Sequence, residues 1–476
     1  MIKKILISAA LSSLLGICSL ALAKEVTIHG FVTEIKSPTS FEIDDYKVTR
    51  SKTVELQLGD DKEEQASRNF NAEDIRVGTE LEIKGEYDEA TRELQAKSIK
   101  AFFKDTRVVK RNALLEKIPL LSKKDGEWEG EIRSDGQRIA VLPTTLVTFK
   151  PNKSERKKSP DKTDDADSSK LTTLDVLNLD TFVHYEGIRR KDGCIEASRV
   201  EFQHAELEGG EAKMWKRFEP KQVKQPDYAN LVPGELKMHW KKYRLVPNEE
   251  AQQYIARIGE SLIPQHQKDL PAGDPLKIPF RFYLVEAKSF NAAAYPNGVV
   301  VVHSGVFNCL ENQAQLAFVM SHEISHAVEK HTWQNVKFQR DPRLIALRAG
   351  GAFIPFGGAL VTTMAASAIQ SSFMRSLENQ ADRVGLEWML AAGYDIREAP
   401  ASWKALALKK GDEDVGTNPL WDTHSSYTER RSYLMAELKN NYGDVDYSNL
   451  KRDSAEFHDI ADVVKETEGA KGKKGK

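Results

Sequence analysis

The chain has 476 residues, 40% hydrophobic and 29% charged, with a formal net charge of −2 and a pI of about 6.6. That is the composition of an ordinary globular protein, and the length predicts two or three domains. The near-neutral charge, with no basic stripe interleaved with aromatics, argues against nucleic acid as a partner.

Residues 1–23 read as a secretory signal peptide. Lys3 and Lys4 form a charged start, Ile5 to Leu20 is apolar, and Ala21-Leu22-Ala23 is a small-x-small cleavage site. The polar Lys24-Glu25 follows at once, which favours a cleaved signal over a retained anchor. Ile17 stands before Cys18, where lipidation requires a small residue. The expectation is an exported protein, periplasmic or extracellular. Cys194 and Cys309 then remain, in different predicted domains, and read as two free thiols rather than a disulfide.

From Lys24 to about His204 the hydrophobic pattern alternates, as in Val26-Thr-Ile-His-Gly-Phe-Val and Thr79-Glu-Leu-Glu-Ile. The stretch repeats internally. Leu81-Glu-Ile-Lys-Gly85 followed by Leu94-Gln-Ala96 parallels Phe182-Val-His-Tyr-Glu-Gly187 followed by Ile195-Glu-Ala197. Two small OB-like β-barrel units are predicted, at 24–110 and 111–205, the second with a disordered loop at 151–170 made of Ser, Lys, Asp and Pro. Their acidic strands suit contact with protein, scaffold placement or gating. A linker is expected at 206–230, and a flexible basic tail at 443–476.

Within 231–442, Pro247 to Leu262 reads as an amphipathic helix, Phe280 to Glu286 and Val299 to His303 as strands. The informative helix runs from about Gln313 to His331 and carries His322-Glu323-Ile324-Ser325-His326. Residues four apart lie on one helix face, so both imidazoles can hold one Zn²⁺ while Glu323 takes a proton from a water. Asn312 and Gln315 give a capping-box-like start. Apolar residues surround this helix nearly completely, so the histidines need partners. Glu378 and Asp382, again four apart, can supply the third ligand and the acceptor for a ligand histidine's spare N–H. On a continuous helix His331 lies roughly 140° from His326 and is not a ligand.

The apolar stretch Ala349 to Ile369 contains Gly350, Gly351, Pro355, Gly357 and Gly358. It suits a glycine-hinged helical hairpin over the site better than a membrane span, and leaves peripheral membrane or envelope-complex contact open. Ser426 with Glu429 three residues on predicts the start of a last helix through Leu438.

Asn291-Ala292, Gly298-Val299-Val300-Val301-Val302 with Ser304-Gly305-Val306, the His322–His326 motif, Glu378-x-x-x-Asp382, and Thr423-His424 with Arg430 occur in that order. In this they resemble the gluzincin zinc metallopeptidases of the HtpX, BepA and CAAX-prenyl-protease type, and within them the soluble periplasmic BepA-like branch. The resemblance covers Tyr243 to Leu438 and departs from the family pattern at Ser425, where Pro is usual. It implies an α+β, mainly helical zincin-type domain, which with the tandem β-barrel units read from the repeat makes a multidomain chain. It also implies an endopeptidase with one Zn²⁺ on His322, His326 and Glu378. Glu323 is the general base, Asp382 supports a ligand, and His424 either donates to the oxyanion or caps the zinc at rest. Asn291, Val299, Val300, Val301 and Arg430 are the expected substrate contacts, with the valine strand as the peptide-pairing edge. Protein or peptide substrates follow, in quality control or turnover. The rival reading is a chaperone or assembly factor that uses a peptidase-like fold, with the β units as the main interaction surface.

Overall fold

A computed structural model describes residues 24–43, 46–58, 72–88, 91–102, 108–151, 171, 173–190, 192–205, 210–350, 358–410 and 427–474. The signal segment, most of the loop at 151–170 and His424 fall outside these residues. The chain divides after Phe103 into two compact units.

In the first unit, β1 (Lys24–Ser37), β2 (Ser40–Ile43), β3 (Tyr46–Leu58), β4 (Glu80–Asp88) and β5 (Glu93–Phe102) form a closed barrel in the order β1-β2-β3-β5-β4. Its first strand closes the circle by pairing β4 through Lys24 to Phe31 and β2 from Val32 onward. Alternation turns Val32, Ile43, Val48, Leu81, Ile83, Leu94 and Ile99 inward, all fully buried.

The second unit begins with β6 (Val108–Leu114), β7 (Leu120–Lys124), β8 (Glu127–Ser134), β9 (Gln137–Phe149), β10 (Thr181–Arg189) and β11 (Ile195–His204). These make a six-stranded sheet in the order β6-β10-β11-β9-β8-β7, where the sequence repeat predicts a second barrel. The reason is local. The edge of β8 that could zip onto β6 is taken by β7, and β8 meets the end of β6 just at Leu114–Glu116, through the Leu115–Ser134 bridge and the Ser134 hydroxyl. The repeat is visible in the pairing all the same. Strands β3 and β5 run parallel, as do β9 and β11. Gly85 and Gly187 sit at matching register shifts, where a Cβ would lie 2.2 Å and 2.3 Å from the facing carbonyl oxygen.

The stretch expected as a linker contains α1 (Gly210–Arg217) and β12 (Lys221–Lys224), which joins β13 (Glu235–Met238) and β14 (Lys241–Arg244) in a small sheet. Then come α2 (Glu249–Leu262), capped by the Asn248 side chain, and the strands β15 (Arg281–Val285), β16 (Ala292–Ala294) and β17 (Val299–His303). The helices α3 (Gln313–Val328), α4 (His331–Gln339), α5 (Pro342–Gly350), α6 (Gly358–Ala391), α7 (Ala399–Lys410), α8 (Tyr427–Asn441) and α9 (Ala455–Lys474) complete the unit. In place of a flexible tail, α9 buries Phe457, Ile460, Ala461 and Val464 in the main helical core. Their i, i+3, i+4, i+7 spacing is a core-facing stripe. Helices α5 and α6 pack on each other, and no described helix is long and apolar enough to cross a membrane. Cys194 is buried and Cys309 half-buried, both as free thiols.

One carboxylate gathers several of the contacts between the six-stranded sheet and the helices. Asp135, in the left-handed turn between β8 and β9, accepts from Arg383 on α6 at 2.6 Å, from Arg111 at 3.0 Å and from the Tyr185 hydroxyl at 3.0 Å. Arg133 with Glu387, and Lys330 with Asp180, are further ion pairs across the same junction.

Candidate metal centre

Helix α3 starts where the sequence predicts. Asn312 accepts the Gln315 N–H at 3.0 Å, and the Gln315 side chain returns a bond from the Glu311 N–H at 2.9 Å. Every residue from Ala314 to Val328 is buried. Helix α6 crosses it closely because Gly385 lies against the His322 backbone and Ser321 donates to the Gly385 carbonyl at 2.7 Å. A Cβ on Gly385 would approach the His322 nitrogen to 3.1 Å.

This crossing brings three donors together. His322 Nε2 and His326 Nε2 are 3.0 Å apart, and Glu378 carboxylate oxygens lie 3.4 Å and 3.6 Å from them. Ligands on a tetrahedral Zn²⁺, each about 2.0–2.1 Å from it, lie about 3.3 Å from one another. The spacing of these three residues therefore fits zinc, and among the described residues they supply three donors, the ligand count of a catalytic zinc site.

Each ligand is held from behind. His322 Nδ1 lies 3.0 Å from Asp382 Oδ1, so its N–H donates there and Nε2 is left as the ligand atom. Arg430, only 1% exposed, donates to both Asp382 oxygens at 2.9 Å and 2.6 Å and lies 3.1 Å from Glu378 Oε2. Its other face covers Trp403. Among the residues expected at the substrate, Arg430 is thus buried against the Asp382 and Glu378 carboxylates. Burial opposes ionisation of Asp382, but the Arg430 charge and the His322 bond outweigh it and hold the carboxyl below its ordinary range. Burial and Arg430 act to lower His322, yet its bonds to Asp382 and Glu378 raise it to about 9 in the metal-free chain.

The expected base is anchored to strand β16 of a three-stranded sheet. Glu323 Oε2 accepts the Ala294 N–H at 2.9 Å. The sheet order is β15-β17-β16, which corrects the peptide-pairing edge. Val299, Val300 and Val301 belong to the central strand, fully buried and paired on both sides. The strand next to the base is β16, and Asn291 immediately precedes it, its carbonyl accepting the His303 N–H.

His331 is the residue that sequence geometry sets aside. Helix α3 ends at Val328, Lys330 takes φ 55°, and the chain turns so that His331 Nδ1 comes 2.9 Å from His326 Nδ1. Burial pushes His331 down to about 4, so it is neutral. Gln380, Glu329 and Trp403 also surround the site without having been singled out.

Residues 249–438 match the sequence profile of peptidase family M48. The chain is 31% identical over 203 residues to the β-barrel assembly-enhancing protease of Yersinia pestis, covering 38% of this chain and 39% of that one. It is 32% identical over 200 residues to the same-named protein of Escherichia coli strain K12, covering 39% and 40%. The mitochondrial metalloendopeptidase OMA1 of Arabidopsis thaliana is 31% identical over 160 residues, covering 34% and 32%. The chain thus spans about two fifths or less of the length of the curated relatives it matches.

Proposed function

With residues 249–438 a peptidase family M48 domain, we propose that the chain is a zinc-dependent endopeptidase of the cell envelope, acting in protein quality control or turnover. The observation that carries this is the His322, His326 and Glu378 triangle beside an anchored Glu323. When bound there, zinc polarises a carbonyl and acidifies a water. Glu323 accepts the proton of the attacking water and delivers it to the leaving amine. The Ala294 N–H keeps that carboxylate aimed across the cleft. Asp382 and His331 hold the two ligand imidazoles, and Arg430 holds the carboxylates. The outer edge of β16 takes the substrate as an added strand, with Asn291 at its entry. His424 serves as the oxyanion donor or as a resting cap.

The two β units are the substrate-selecting modules in this reading, and export follows from the signal pattern at 1–23. The bacterial relatives' names speak of β-barrel assembly, which brings β-barrel proteins forward as the substrates to test. Zinc content and cleavage of an unfolded outer-membrane β-barrel protein are measured for the native chain and Glu378→Ala. The reading expects about one zinc and cleavage, both lost in the variant. Zinc without cleavage favours the chaperone role, and absence of zinc at saturating supply overturns the peptidase reading.

A further inference from the structure

The two ligand histidines are held by different chemistry. A carboxylate backs His322, whereas a second imidazole backs His326. Beyond that imidazole the contacts continue. His331 Nε2 lies 3.2 Å from Gln380 Oε1, Gln380 Nε2 donates to Glu329 Oε2 at 3.1 Å, and the same oxygen accepts the Leu114 backbone N–H at 2.9 Å. All four side chains from His326 to Glu329 are buried. Leu114 ends strand β6, which belongs to the six-stranded sheet.

With zinc on His326 Nε2 and the Gln380 amide as it lies, one proton arrangement fits the contacts from Glu329 to His326. Glu329 accepts twice. The Gln380 amide donates to it and offers its carbonyl to the His331 Nε2–H. His331 Nδ1 then has only a lone pair and accepts the His326 Nδ1–H. That leaves His326 Nε2 unprotonated and pointing at Glu378 and His322. Turned the other way, the Gln380 amide would face His331 with a donor and Glu329 with an acceptor, and the carboxyl would lose its bond unless protonated on that oxygen.

We propose that His331 is a positioning residue that fixes the tautomer and direction of His326, and that Gln380 and Glu329 extend this support to the β6 backbone. The second β sheet thereby sets the geometry of the metal centre. The inference rests on the zinc reading above. Lys330 is what makes it feasible: its left-handed backbone folds His331 beneath His326, and its ammonium is fastened to Asp180 and Glu211, the former at the start of the β10 segment.

The test is zinc affinity by chelator competition on the full chain, with the zinc-free unfolding midpoint read alongside. His331→Leu is expected to raise the zinc Kd about 10- to 100-fold, the scale for losing such a support. His331→Gln, which can accept at one end of its amide and donate at the other, is expected to recover most of it. Gln380→Met and Glu329→Met, close in shape, are expected to raise Kd in the same direction, whereas Glu329→Gln keeps an acceptor for both donors and stays near native. A folded Gln380→Met with native zinc Kd overturns the relay. Should the variants not fold, ¹⁵N-histidine spectra of the native zinc-loaded chain decide: His326 protonated on Nδ1 and His331 on Nε2 supports it, and any other tautomer pair overturns it. A native chain that takes up no zinc removes the zinc reading instead.

Discussion

The Arg430 guanidinium carbon lies 3.7 Å from the centre of the Trp403 ring. The same ring stands edge-on to His322, with centroids 5.5 Å apart. One indole from α7 therefore presses a cation from α8 against the carboxylates of α6 while bracing a histidine of α3. A desolvated cation–π contact contributes on the order of 2 kcal/mol, but its larger effect here is directional. It leaves the flat guanidinium one orientation, the one that meets Asp382 and Glu378 together.

Arg430→Lys is accordingly expected to fold and to bind zinc about 10- to 100-fold more weakly. A lysine keeps the charge but not the fork that reaches both carboxylates. Chelator competition checks this, and an unchanged zinc Kd would separate Arg430 from the metal centre.

Glu323→Gln is expected to retain zinc and the native unfolding midpoint while losing peptide hydrolysis by about 10²- to 10⁴-fold, the range for removing a general base. The amide still accepts the Ala294 N–H, so geometry survives and only proton transfer is lost. Turnover within a few-fold of native would assign the base elsewhere.

Asp135→Ala is expected to destabilise the second unit by about 3–5 kcal/mol. The change strands the Arg383 guanidinium, 4% exposed, without the carboxylate that neutralises it. Urea unfolding measures the loss, and a loss below about 1 kcal/mol would show that the sheet and helices are joined mainly by other contacts.

Glu329 gives a pH dependence with a definite sign. Burial raises its carboxyl to about 8, only partly offset by the Leu114 N–H. The native state thus holds a proton that the unfolded chain releases near its ordinary value. Its contribution is greatest below pH 4.5 and declines as pH rises toward 8. In chelator-treated protein, Glu329→Gln is expected to flatten the fall of the unfolding midpoint between about pH 5 and 8. An unaltered slope would locate that titration in another group.

Much of the centre is legible in the sequence because helical spacing is a strong constraint. Four-residue intervals put His322 with His326, and Glu378 with Asp382, on shared faces, and the Asn312–Gln315 pair marks where α3 begins. What hides is whatever depends on a break or a partner. His331 looks misplaced because a continuous helix carries it away from His326, and a single left-handed residue at Lys330 undoes that reasoning. The valines of β17 have the composition of any buried strand, and composition cannot say which strand of three is central. The three alanines of β16 give almost no pattern at all. Polar residues at 451–454 conceal the apolar stripe of α9 that follows them. The two β repeats have parallel sequences, but closure depends on whether a neighbouring hairpin occupies an edge, which no single repeat encodes.

The closed first barrel has a consequence for how this chain meets other molecules. A closed ring of strands pairs most of its backbone within itself and leaves only short stretches, such as β3 beyond Arg50, with one neighbour. Most of what that module presents is side chains on its wall. Strand β16, three residues long and beside Glu323, is by contrast the outer strand of an open sheet.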